Sequence, residues 1–196
     1  MKIVKSFKIR RMIYIAFIVF FSFPHLAFCA DCSPFADNVE ELQSRAEAGE
    51  AKAQLMVGKF YYYGFCFERD YREAVKWFQV AADQGNPSAQ FLLGEAYEKG
   101  KGLERNYTQA AKWYERAAFK GENLAIHYLS NLYAHGLGVR KNLIIAYAWN
   151  KLVEAQGWNM VKRLKAELET NMNQDQKDRA QILSIALKKK IRKPLP

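Results

Sequence analysis

Apolar residues in this chain recur at helical spacing, and the whole pattern then repeats every 36 positions. Between Asp70 and Gln84, the residues Tyr71, Ala74, Val75, Trp77, Phe78, Ala81 and Ala82 make a wide apolar face. Arg72, Glu73, Lys76, Gln79 and Asp83 form a narrow polar stripe opposite them. This spacing predicts a helix, and one apolar over most of its circumference must be covered on several sides. Upstream, Ala53, Val57, Phe60 and Tyr61 predict a first helix over 53–63. The set then recurs in register. Gly58, Gly94 and Ser130 are 36 apart, as are Tyr61, Tyr97 and Tyr133; Gly64, Gly100 and Gly136; Ala74, Ala110 and Ala146; Trp77, Trp113 and Trp149; and Gly85, Gly121 and Gly157. Self-similarity at this period predicts stacked helix pairs that bury their apolar faces only against neighbouring copies.

Three full units follow from these columns, at about 50–85, 86–121 and 122–157. Each reads helix A, glycine loop, helix B, glycine turn. A half-unit precedes them over 36–49, where Ala46 and Gly49 stand 36 before Ala82 and Gly85. After Gly157 the register fails, and two further helical patterns, the second N-capped by Asn173, predict a C-terminal cap over 158–192. The second helix-A column holds Gly58 and Gly94 in mid-helix, where glycine costs roughly 1 kcal/mol relative to alanine. Repetition of that cost predicts a close approach by a neighbouring helix.

The first 30 residues lie outside this pattern. Lys2, Lys5, Lys8, Arg10 and Arg11 precede an apolar run over Met12–Phe23, and Leu26-Ala27-Phe28-Cys29-Ala30 follows Pro24. A basic start, a short apolar stretch and small residues at the exit read as a secretory signal peptide over 1–29, with a linker over 30–35. Leu26-Ala27-Phe28-Cys29 also approximates a lipobox, although Phe28 stands where that motif wants a small residue. The expected location is the periplasm, with secretion or outer-membrane association as alternatives.

Export changes the charge reading. The full chain carries a formal charge of +10, but its leader holds five basic residues and no acid, leaving about +5 on the mature chain. Lys188, Lys189, Lys190, Arg192 and Lys193 concentrate that excess at the C-terminus. The repeat body is near neutral, which argues against nucleic acid as a partner. The basic tail either is solvated or makes a weak contact with an anionic membrane surface.

Candidate chemistry is sparse. His127 and His135 are eight apart with no acid or cysteine placed to complete a metal site, so neither a metal nor a cofactor is expected. No nucleophile elbow, zinc-protease or phosphate-loop pattern is present. Cys66 occupies the loop column held elsewhere by Gly102 and Gly138. Register places the start of the half-unit helix near the end of helix A at Tyr63, so Cys32 and Cys66 fall at one edge. In an oxidising compartment a disulfide between them would staple the N-terminal cap. A free thiol and pairing between chains are the competing readings.

The second unit carries Ala89-Gln90, Leu93-Gly94, Tyr97, Gly100-Lys101-Gly102, Ala110, Trp113-Tyr114, Ala117-Ala118 and Gly121. These residues resemble the Sel-1-like repeat family, relatives of the tetratricopeptide repeats, over nearly all of the mature chain. The resemblance implies an all-α fold, a right-handed α-solenoid of stacked antiparallel helix pairs over 36–192, acting as a non-catalytic adaptor. In such proteins the A helices line a concave groove that holds a protein or peptide. The helix-A columns left over from the core then give Lys59, Tyr62, Phe91, Glu95, Glu98, His127 and Asn131 as groove residues, with Tyr62 and Phe91 as aromatic anchors. Packing of those aromatics against a neighbouring hairpin is the alternative. The resemblance leaves open an envelope adaptor, a secreted virulence-type factor binding a host protein, and a cell-envelope hydrolase.

Overall fold

The computed structural model describes residues 36–154 and 161–192, and the predicted leader and linker lie outside them. Among the described residues there are nine helices and no strand: α1 Ala36–Glu47, α2 Ala51–Tyr63, α3 Tyr71–Asp83, α4 Pro87–Lys99, α5 Tyr107–Phe119, α6 Asn123–His135, α7 Leu143–Glu154, α8 Val161–Thr170 and α9 Gln174–Arg192. The chain is an all-α solenoid. Antiparallel pairs α2–α3, α4–α5 and α6–α7 make the largest interfaces, and each B helix then packs on the A helix that follows.

Local chemistry explains where the helices begin and end. Asp70 Oδ1 accepts from the backbone N–H groups of Arg72 and Glu73. Asn86, Asn106 and Asn142 each accept from the N–H three residues on. These side chains satisfy donors that a helix start leaves without partners. At the other end, helix A closes at Gly64, Gly100 and Gly136, with φ of 72°, 67° and 73°. A left-handed residue is needed there to return a backbone N–H to the last turn, and glycine adopts it without strain. Each loop is then pinned by one repeated bond, from Asp70, Asn106 and Asn142 N–H to the carbonyls of Tyr61, Tyr97 and Tyr133.

The mid-helix glycines mark the predicted close approach. A Cβ on Gly58 would lie 2.7 Å from the Phe78 ring, and one on Gly94 would lie 2.7 Å from the Tyr114 ring. Both rings are fully buried. In the third unit Asn150 replaces the aromatic and Ser130 replaces the glycine. The Ser130 hydroxyl donates to the Ala146 carbonyl at 2.7 Å, the register equivalent of Ala110, whose carbonyl lies 3.3 Å from that Cβ position on Gly94. Small residue and facing residue have therefore changed together. The smaller Asn150 leaves room for a hydroxyl and gives its own amide to the Val161 carbonyl at 3.3 Å.

The C-terminal cap departs from the repeat. Residues Ala146–Asn150 of α7 are all buried, so this helix needs cover on every side. α6 covers one side and α8 another, while α9 packs chiefly along α7 and reaches α5. Asn173 caps α9 as expected: its Oδ1 accepts from Gln176 N–H, and its own N–H donates to Gln176 Oε1.

Gly94→Ala should lower stability. Relief of glycine's backbone entropy gains roughly 1 kcal/mol, whereas overpacking a buried ring costs about 1–3 kcal/mol. A urea midpoint for Gly94→Ala at or above that of the wild type would remove the close-approach account.

Candidate functional site

Side chains from α2, α4 and α6 meet across one face of the solenoid. At the α2–α4 step, the Tyr62 hydroxyl donates to Glu95 Oε2 at 3.2 Å. The Lys99 ammonium donates to the other oxygen of the same carboxylate. One turn further along α4, Glu98 accepts from the Tyr114 hydroxyl at 2.5 Å. At the α4–α6 step, the Phe91 ring packs 5.7 Å from that of Tyr114 and 5.5 Å from that of Tyr128. On α6, Asn131 Nδ2 contacts His127 Nε2 at 3.3 Å. His135 Nδ1 lies 3.0 Å from the Asn131 carbonyl, and its Nε2 lies 3.5 Å from Glu167 on α8. The result is a polar and aromatic band running from α2 to α8.

The environment sets the protonation states. Burial, followed by the charge of Glu95 and the bond to it, raises the Tyr62 hydroxyl. Burial and Glu98 raise Tyr114 in the same way, so both phenols remain donors. The bond to Glu95 raises Lys99, which stays charged. Burial alone lowers His127, favouring the neutral ring.

Two expected anchors occupy other positions. Tyr62 and Phe91 are only 3% and 7% exposed, so neither projects from the groove. Tyr62 stands edge-on to Tyr63 and Tyr71, at centroid distances of 5.0 and 5.2 Å, with Lys101 Nζ 4.8 Å from its ring. Stacking of adjacent hairpins closes over both rings and makes them part of the seam. Glu95 and Glu98 are engaged as acceptors and so are not free surface charges. Lys59, His127 and Asn131 are half-buried on the same helices.

The side chains that do project form another of the helix-A columns left over from the core, Tyr63, Lys99 and His135. Tyr63 is 57% exposed, and the Lys99 and His135 side chains are 43% and 46% exposed. They are 36 apart, each the last residue of its A helix. The register contained this signal, because the same helix-end position is exposed in every unit.

Cys66 is buried, with φ of 62° in the left-handed region. At the equivalent Gly102 and Gly138, a Cβ would lie 2.2 Å from backbone atoms of Tyr71 and Tyr107, the first residues of the preceding B helices. The matching position in the half-unit is 35, just before α1. Cys32 lies outside the described residues. Among the described residues no cluster of three or more histidine, cysteine or acidic side chains could hold a metal, and no helix is long and apolar enough to cross a membrane.

This geometry defines a helical-repeat solenoid with a structured polar face. The Sel1 repeat model matches residues 51–86, 87–121 and 123–150, and the chain belongs to that family. It is similar to a protective antigen present in uropathogenic Escherichia coli strains that displays the SLR fold, with 32% identity and a TM-score of 0.72. That match covers 78% of this chain and 33% of the antigen, so the chain spans about a third of that relative's length. A Sel1 repeat protein from Oxalobacter formigenes is 34% identical with a TM-score of 0.61, over 66% of this chain and 98% of that one. No curated protein matches the chain. Sel1 repeat proteins are typically protein-interaction scaffolds, and the fold is generally non-catalytic.

The lowered His127 imposes a pH dependence. Its folded value lies below the ordinary histidine value of about 6.5, so the unfolded chain binds the proton first. Its contribution is complete above that ordinary value and is lost as pH falls through it toward the folded value. The urea midpoint should therefore fall between about pH 7 and pH 5, and His127→Leu, copying the Leu55 column, should flatten the slope. An unchanged slope in His127→Leu would assign the dependence elsewhere.

Proposed function

We propose that the mature protein is an exported, non-catalytic adaptor that binds a protein or peptide segment along the face formed by α2, α4 and α6. The observation that carries this reading is the exposed Tyr63, Lys99 and His135 column beside a band already fixed by hydrogen bonds. Contact residues held rigid before binding lose little conformational entropy on binding. Lys59, Glu95, Glu98 and Asn131 set the polarity of the floor, while Tyr62 and Phe91 hold it in shape.

Export is supported by the basic, apolar and small-residue segments at the N-terminus. Likeness to an antigen of a pathogenic strain makes host extract a second place to look for the partner. We further propose that Cys66 pairs with Cys32, since its loop column packs on the start of the neighbouring helix in the later units.

Crosslinking capture from envelope extract should retain a partner on the wild type and lose it on Tyr63→Ala/Lys99→Glu/His135→Ala with helix content intact. Equal capture by both proteins would place binding off this face. Phe91→Ala is unsuitable as a control, because removing a buried ring costs about 3–5 kcal/mol of stability.

Mass spectrometry of a non-reduced digest of exported protein should show the Cys32–Cys66 linkage. Cys32→Ser and Cys66→Ser should each lose about 2–4 kcal/mol, and the double variant no more than either alone. Additive losses would dismiss the pairing.

A further inference from the structure

The last helix uses only one face within the fold. Ala180, Ser184 and Leu187 are buried, and Leu183 and Ile191 are packed against the core beside them. On the opposite side Asp175, Asp178, Ile182, Ile185 and Lys189 are all exposed. Ile182 and Ile185 are 70% and 49% exposed, unusually open for large apolar side chains. These positions advance by alternating steps of three and four, and Arg192 is next in the series. That is the spacing of a coiled-coil seam, set here on the outside of the molecule.

The seam is graded. It is acidic at the helix start, apolar in the middle and basic at the end. An antiparallel copy of the same helix matches it residue by residue. With a two-fold axis between Ile182 and Ile185, Ile182 meets Ile185 of the second copy. Asp178 then meets Lys189. The flanking positions bring Arg179 to Ala186 and Gln181 to Lys188, with no pair of like charges. A parallel arrangement would set acid on acid and base on base. Among the described residues Asp175 pairs with Arg179 at 3.7 Å, and Asp178 accepts from Gln174 at 2.8 Å. Both contacts are exposed and can be exchanged for a partner's cation.

We propose that the outer face of α9 binds a second copy of this chain, forming a two-fold symmetric dimer through an antiparallel α9 pair. Charge complementarity along the seam selects this occupant over an anionic lipid surface, which the two aspartates would repel. The dimer leaves the face of α2, α4 and α6 open, and each copy presents one such face.

Sedimentation equilibrium of the mature chain, up to roughly 100 μM, tests the proposal. A reversible monomer–dimer equilibrium that weakens as salt is raised is expected. Ile182→Glu should weaken association on the order of tenfold or more, without loss of helix content. Asp178→Lys and Lys189→Asp should each weaken it, because each places like charges at the same contact. Their combination restores opposite charges and should recover most of the wild-type affinity. A wild type that stays monomeric overturns the proposal, as does failure of the combined variant to recover. Retention of a monomeric wild type on phosphatidylglycerol vesicles would overturn it in favour of a membrane-directed helix.

Discussion

The close approach of the two helices in each hairpin is the contact on which the remainder of the solenoid depends. Gly58 under Phe78 and Gly94 under Tyr114 leave no space for a side chain. Ser130 meets the same constraint by bonding the Ala146 carbonyl. This spacing also reaches the face formed by α2, α4 and α6. With its ring held against Gly94, Tyr114 extends its hydroxyl to Glu98, one turn further along α4. A core contact thus fixes the direction of a carboxylate on the groove floor.

Hydrogen bonding rather than apolar packing organises that floor. Tyr62 and Tyr114 each combine a buried ring with a hydroxyl that reaches a glutamate. Buried polar groups are tolerable only when paired, and these pairings restrict the rotamers of both partners. Aromatics in the columns that the sequence assigns to the groove serve to hold it in shape. The exposed side chains lie instead in the column at the helix ends, at Tyr63, Lys99 and His135.

The two ends of the array are finished differently. At the start, Ala46, Ala53, Val57 and Phe67 form a small core cluster of their own, separate from the main one. At the finish, α7 is buried along five consecutive residues and is covered by α6, α8 and α9. Placing α9 along α7 buries one stripe of the helix and turns the opposite stripe outward. A terminal repeat ordinarily presents a polar outer face. Here that face carries two isoleucines between charges of opposite sign.

Helix order and the loop glycines were legible in the sequence, because each follows from local spacing and backbone chemistry. So was the reason for mid-helix glycine at positions 58 and 94. The sequence left Tyr62 and Phe91 either open in the groove or packed, and the fold decides for packing, with each ring covered by the B helix of its own hairpin and by the next A helix. The engagement of Glu95 by Tyr62, 33 residues away, likewise arises from stacking. The path of α9 was also undetermined. Its apolar residues recur closely enough to give two stripes, and only packing against α7 decided which one remained outside. Periodicity specifies what a helix can bury, whereas the neighbours brought by the superhelix determine what it does bury.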